Sequence, residues 1–190
     1  MIEVEVKFAA PSTADLRTLI LRTFGVDGGT HCEESDEYFQ HPCRDFDQTD
    51  EALRIRRSDQ TITFTWKGPR LDALTKTREE REISFNAADP DNQESGLRSI
   101  LTALGFSSAG RVHKRRELFS VSWQQHAVTI SFDQVTGLPP FVELEIVCEE
   151  TRRPEATEAL LSLAKTLGLG QSERRSYLEM VLDLSANDRQ

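Results

Sequence analysis

The sequence predicts an α+β fold, in which an antiparallel sheet packs its apolar face against amphipathic helices and turns a charged face away from them. Three observations predict it. Short stretches alternate strictly between apolar and ionisable residues, and a period of two puts the two sets on opposite faces of a strand. Stretches of helical periodicity separate some of these strands. The charges on the polar face are dense and of both signs, comprising Glu3, Glu5, Lys7, Arg54, Arg56, Lys67, Arg78, Glu80, Glu82, Asp133, Glu143 and Glu145.

The residues alone leave two arrangements open. The sheet could be open with its charged face in water, or it could curl into a barrel with the charged face inward and the helices outside. A barrel of about eight strands has an interior just wide enough for side chains or one small ligand. Unpaired ionised groups inside would cost on the order of several kcal/mol each, so that interior must be wet, internally paired or filled by charged ligands.

The elements follow in chain order. In Ile2 to Phe8, the apolar Ile2, Val4, Val6 and Phe8 oppose Glu3, Glu5 and Lys7. A helix follows from Pro11-Ser12, with Ser12 as N-cap, Leu16, Leu19, Ile20 and Phe24 on one side, and Gly25 at its end. The acidic segment from His31 to Glu51 reads as a solvated loop, interrupted by a short strand at Tyr38-Phe39. Strands are then predicted at Leu53–Arg56, Thr61–Lys67, Arg78–Phe85, Val112–Phe119, Val128–Asp133 and Val142–Ile146, the fourth losing its alternation near Leu118. Helices are predicted at Gln93–Leu104, at Pro154–Leu167 with proline in its first turn, and at Glu173–Leu184.

A chain of 190 residues supports one domain, 1–190, and at that length buries roughly 70% of its unfolded surface without a disulfide or metal staple. With 37% hydrophobic and 29% charged residues, no apolar run near the ~20 residues of a membrane span and no signal peptide, a soluble cytoplasmic protein is expected. The net charge of −9 argues against nucleic acid and membrane surfaces, both polyanions. Cys32, Cys43 and Cys148 are scattered and odd in number, and read as reduced thiols. The alternative reading is a zinc site of His31, Cys32, His41 and Cys43, which needs a hairpin to bring the four together.

If the charged face points inward, its composition names its ligand. Glu3, Glu5, Asp133, Glu143 and Glu145 are hard oxygen donors suited to Mg²⁺ or Mn²⁺. The arginines and lysines suit phosphate, since a guanidinium binds two oxygens at once. Cations and metal-binding carboxylates around one tunnel describe a polyphosphate site.

The same residues carry a family resemblance. Glu3-Val4-Glu5-Val6-Lys7 is similar to the E-x-E-x-K signature of the CYTH superfamily, the triphosphate tunnel metalloenzymes. Tyr38-Phe39, Ala52–Arg56, Trp66–Pro69, Arg78–Glu82, Lys114–Glu117, Ser131–Val135, Phe141–Glu145 and Ser176-Tyr177 resemble its further motifs in order. The resemblance covers essentially the whole chain. It is closest to the branch of class IV adenylyl cyclases, inorganic triphosphatases and thiamine triphosphatase-like proteins. Two departures are Gln40, where members often carry Asp, and the His31–Cys43 segment.

The resemblance implies an eight-stranded antiparallel β-barrel, a tunnel with a charged interior flanked by helices. It implies metal at Glu3, Glu5, Asp133, Glu143 and Glu145, with Glu80 or Glu82 adding to that shell. It implies triphosphate binding by Lys7, Arg54, Arg56, Lys67, Lys114 and Arg116, with Arg78 at a further motif position, and catalysis centred on Glu5, Lys7 and Glu145. The expected cofactor is Mg²⁺ or Mn²⁺ and the expected partner a small-molecule triphosphate or ATP; a homodimer is an open alternative. Three functions follow. A metal-dependent triphosphatase would hydrolyse inorganic, nucleoside or thiamine triphosphate, and an adenylyl cyclase would convert ATP to cyclic AMP and pyrophosphate. The third, a non-catalytic polyphosphate binder, is disfavoured because all five carboxylates are present. A cyclase needs a base pocket; Phe39, Trp66 and Trp123 are its candidates unless they belong to the strand core.

Overall fold

The fold was analysed in a computed structural model, which describes residues 2–10, 12–71, 75–86 and 88–187. Eight strands form a closed antiparallel barrel: β1 (Ile2–Ala9), β2 (Thr30–Gln40), β3 (Ala52–Ser58), β4 (Thr61–Lys67), β5 (Arg78–Asn86), β6 (Ser107–Trp123), β7 (His126–Val135) and β8 (Phe141–Cys148), in the order β1-β5-β4-β3-β2-β6-β7-β8. Closure joins β8 to β1 along eight residue pairs, including Glu5 opposite Glu145 and Lys7 opposite Glu143. The β1–β5 seam holds only two pairs, Ile2 with Glu79 and Glu3 with Arg78. The expected barrel is therefore present, and closure, not an open sheet, is how the charged face is handled.

Outside lie the helices α1 (Thr13–Phe24), the single turn α2 (Phe46–Thr49), α3 (Pro90–Ala103) and α4 (Arg153–Thr166), and α5 (Tyr177–Asn187) lies against the rim of the barrel. None of the described helices is long and apolar enough to cross a membrane. Pro11, the expected helix start, lies outside the described residues. Gly25 ends α1 in the left-handed conformation, φ 64°, which glycine adopts at no steric cost. Asp89 caps α3, accepting a hydrogen bond of 3.2 Å from the Asn92 amide, with Pro90 at the first position. That cap starts the helix three residues before the periodicity did.

The apolar alternates of the strands face outward under these helices. Val4 and Val6 of β1, Ile130 of β7 and Leu144 of β8 pack with Ile20 of α1 and Leu160 and Leu163 of α4. Leu101 of α3 covers Phe39, Leu53, Ile55 and Ile62. A third cluster sits inside the rim, where inward-pointing Val112, Val135 and Phe141 meet Tyr177 and Met180 of α5. Replacing Leu160, fully buried, by Ala is expected to cost about 2–5 kcal/mol, read as a lower urea midpoint at unchanged m-value. A loss below about 1 kcal/mol would contradict this packing.

Three expectations need correction. The first half of the segment read as a solvated acidic loop is β2, an eleven-residue strand in which Glu34 and Asp36 are buried. It was hidden because its outward residues, His31, Glu33 and Ser35, are also polar, so nothing apolar marks the period until Tyr38. In β6, alternation continues past Leu118. Its outward side chains simply change from His113 and Arg115, exposed, to Phe119 and Val121, buried in the core with α1 and α4. The terminal helix begins at Tyr177, not Glu173; before it, the Glu173 amide donates to the Lys7 carbonyl at 2.7 Å and Ser172 bridges to Phe8.

Candidate active site

Closure of the barrel collects the ionisable alternates around one cavity of about 670 Å³. Its wall includes Glu3, Glu5, Arg54, Arg56, Lys67, Arg78, Glu80, Glu82, Lys114, Arg116, Glu143 and Glu145, so twelve of the fourteen predicted site residues meet there. The other two, Lys7 and Asp133, are buried where the chain enters α5. The Lys7 ammonium donates to the Arg175 carbonyl at 2.5 Å and lies 4.0 Å from the centre of the Tyr177 ring. The Tyr177 hydroxyl donates to Asp133 Oδ2 at 2.8 Å.

The interior has a cationic side and an acidic side. On the first, Arg56 grips Asp36 through two bonds of 2.7 and 2.8 Å and meets Glu34 at 3.0 Å. Lys114 reaches Glu34 at 3.1 Å, and Arg54 lies 3.5 Å from Asp36. Arg116 makes a two-pronged pair with Asp133 and a further contact with Glu143. Burial opposes ionisation of Asp36, yet Arg54 and Arg56 outweigh it and hold its pKa well below the usual range. Burial, with Arg116 and Arg56 beside it, lowers the pKa of Lys114. Arg54, Arg56, Lys114 and Arg116 are matched here by Asp36, Glu34, Asp133 and Glu143, yet the buried Arg54 Nε donates to nothing among the described residues. A buried donor without an acceptor costs about 1–3 kcal/mol, and an anion entering the cavity would relieve it.

On the acidic side carboxylates are in surplus. Lys67 bridges Glu3, at 3.3 Å, and Glu80; Lys76 reaches Glu5 at 3.0 Å. Glu145, directly across from Glu5, forms no ion pair among the described residues. Burial, then Glu3 and Glu5, push its pKa up to about 8. Burial also raises Glu80 to about 7, with Glu3 overriding part of the relief from Lys67. Two lysines thus face four carboxylates, and the remaining repulsion falls on Glu80 and Glu145.

This donor set is all oxygen and lacks positive charge, the chemistry that a hard divalent cation meets. Among the described residues, however, no three such side chains are gathered into a ready-made metal cage. Glu143 and Asp133 are taken up by Arg116, and Glu82 accepts from Thr65 at 3.0 Å. Glu3, Glu5 and Glu145 are the residues that fit a metal best.

Sequence reasoning missed Glu34, Asp36, Lys76 and Tyr177 as site residues. Glu34 and Asp36 were legible as alternates of β2 once the strand is extended; Lys76 lies outside any strand and left no periodic signal. At the mouth, Arg78 approaches Asp50, 3.9 Å from its carboxylate. The aromatic candidates for a base pocket do not converge. Phe39 and Trp66 belong to the core under α3, and Trp123 packs edge-on against Phe24 with centroids 6.1 Å apart. The hairpin required for zinc is also absent: His31 lies at the start of β2 and His41 just past its end, so roughly 30 Å separates them at about 3.3 Å per residue. His41 Nδ1 instead accepts the Cys43 and Arg44 amides, each at 3.0 Å.

Comparison with known proteins agrees with this architecture. The family described as CYTH domain matches residues 1–177. A curated relative from Methanocaldococcus jannaschii, named "Putative adenylate cyclase MJ0240", is 32% identical over 185 residues, covering 95% of this chain and 98% of its own. The solved structure of the PH1819 protein from Pyrococcus horikoshii OT3 superposes with a TM-score of 0.80 at 39% identity, covering 95% of this chain and 98% of that one. The PH1012 protein of the same organism gives 0.72 at 26% identity, with 93% and 98% covered.

Proposed function

Because the chain belongs to the CYTH family, we propose that its tunnel binds a triphosphate and transfers a phosphoryl group with a divalent metal, by hydrolysis of inorganic triphosphate or a nucleoside or thiamine triphosphate. The observation that carries this reading is the division of the cavity wall, with a cluster of arginines and a lysine on one side facing surplus carboxylates on the other across one cavity of about 670 Å³. Phosphoryl transfer needs positioning and charge neutralisation more than covalent chemistry, and both are built into the barrel.

Arg54, Arg56, Lys114 and Arg116 would hold phosphate oxygens, the buried Arg54 Nε gaining its missing acceptor. Their rigid partners, Asp36, Glu34 and Asp133, keep the guanidinium planes aimed before substrate arrives, so little reorganisation is needed as charge builds on the leaving phosphate. Glu3, Glu5 and Glu145 would hold Mg²⁺ or Mn²⁺, and Glu80 would adjust their charge through the shared Lys67. A bound metal supplies Lewis-acid polarisation of phosphate oxygens and a water of lowered pKa. Lys7 sits between Glu143 and the Tyr177 ring, and burial next to Lys76 brings its pKa to about 7; it would reach substrate from beneath α5. The reading places the protein in the cytoplasm with a small-molecule partner.

The name of the curated relative favours a second reading, adenylyl cyclase, in which the ribose 3′-hydroxyl attacks the α-phosphate. Against it, Phe39, Trp66 and Trp123, the aromatics expected to grip a base, are committed to the outer core, while Tyr38 and Phe46 line the cavity itself. Product analysis separates the two. With ATP and Mg²⁺ or Mn²⁺, the expected products are ADP and phosphate, and with tripolyphosphate, pyrophosphate and phosphate. Cyclic AMP as the main product would overturn hydrolysis in favour of the cyclase.

A further inference from the structure

We infer that Lys76 is a substrate-positioning residue that competes with the divalent metal for Glu5 and is released to the phosphates when metal binds. The inference rests on the tunnel reading above and extends it to a residue that no motif of the sequence marked.

Lys76 lies just before β5, in the connection from β4, and is held to β1 at two points. Its amide donates to the Glu5 carbonyl at 2.9 Å, and its ammonium donates to Glu5 Oε1 at 3.0 Å. Only 9% of the residue is exposed, yet it lines the same cavity as the phosphate-facing arginines. The first bond fixes the backbone, so the ammonium is delivered to the cavity whatever its partner. The second bond is exchangeable, because a lysine carries a point charge on a flexible four-carbon stem.

Lys67 is differently placed: it bridges two carboxylates, Glu3 and Glu80, from within a strand. Among the described residues Lys76 forms an ion pair with Glu5 alone, and it has Lys7 as a like-charged neighbour. A divalent cation and an ammonium cannot share one carboxylate oxygen at contact distance without strong repulsion. Metal at Glu5 therefore displaces Lys76, and with Lys7 beside it in a cavity that also holds Arg116, the ammonium's next acceptor is a phosphate oxygen. Metal and triphosphate thereby favour one another through a side chain they both need moved, and that coupling is reciprocal.

The test compares full-length wild type with Lys76→Met and Lys76→Arg by isothermal titration, once with Mn²⁺ alone and once with a non-hydrolysable triphosphate analogue in saturating Mn²⁺. Lys76→Met is expected to bind Mn²⁺ on the order of tenfold more tightly and, with Mn²⁺ bound, the triphosphate analogue on the order of tenfold more weakly, a size usual for coupled sites. Lys76→Arg, which keeps the charge on Glu5, is expected to gain no Mn²⁺ affinity. A purely structural role would weaken both ligands together. Unchanged or weaker Mn²⁺ binding in Lys76→Met, with wild type binding normally, overturns the inference alone. Failure of all three proteins to bind Mn²⁺ overturns it together with the metal reading.

Discussion

Glu145→Gln should abolish metal-dependent phosphate release from tripolyphosphate, by about a thousandfold or more, and at the same time stabilise the metal-free protein above neutral pH. The two effects share a cause. Among the described residues Glu145 has no cation of its own, and it lies across β1 and β8 from Glu5, with Glu3 nearby. Its folded pKa of about 8 stands above the unfolded value near ~4.3. Between those limits the folded chain holds a proton that the unfolded chain has lost, so stability falls as pH rises through that window. The cost is complete above about pH 8 and amounts to a few kcal/mol, one pK unit being about 1.4 kcal/mol. The amide removes the charge, so thermal denaturation at pH 8–9 in EDTA should give a higher Tm for the variant. Adding Mg²⁺ or Mn²⁺ should stabilise wild type more than the variant. A variant that keeps full activity would remove Glu145 from the site, and one that is less stable at pH 8–9 would contradict the charge imbalance.

Arg116→Met is expected to act in the opposite sense on stability. Arg116 is the shared partner of Asp133 and Glu143, and Asp133 is also tied to Tyr177 of α5. Removing the guanidinium leaves two buried carboxylates without their main counter-charge, a loss of about 3–5 kcal/mol. For a chain of this size that lowers Tm by about 10 °C. Turnover should fall too, because a phosphate contact and the anchor under α5 are lost together. The double change Arg116→Met with Asp133→Asn should recover part of the stability and none of the activity. A single variant within about 1 kcal/mol of wild type, measured by urea unfolding, would contradict the network.

Much of this site was legible before any coordinates, for a physical reason. A barrel strand with an apolar outer face and an ionic inner face writes its geometry as strict alternation, so Glu3, Glu5, Arg54, Arg56, Lys67, Glu143 and Glu145 declared their common face. Alternation does not say whether that face meets water or closes on itself; closure depends on pairings such as Lys7 with Glu143, which join strands far apart in the chain. Where both faces were polar, as over His31 to Asp36, the signal vanished and a strand was taken for a loop. Lys76 lies outside the strands, so no periodicity could point to it. Ion-pair assignment was also invisible: Asp133 looked like a metal ligand by its motif, and only the fold places Arg116 and Tyr177 on its oxygens.

The most direct measurement is ³¹P NMR of tripolyphosphate incubated with the purified chain and Mg²⁺ or Mn²⁺, repeated after EDTA. The account predicts that the tripolyphosphate resonances give way to pyrophosphate and orthophosphate, and that EDTA stops the conversion. Unchanged tripolyphosphate in the presence of both metals, or conversion that EDTA does not affect, would contradict a metal-dependent triphosphate site in this barrel.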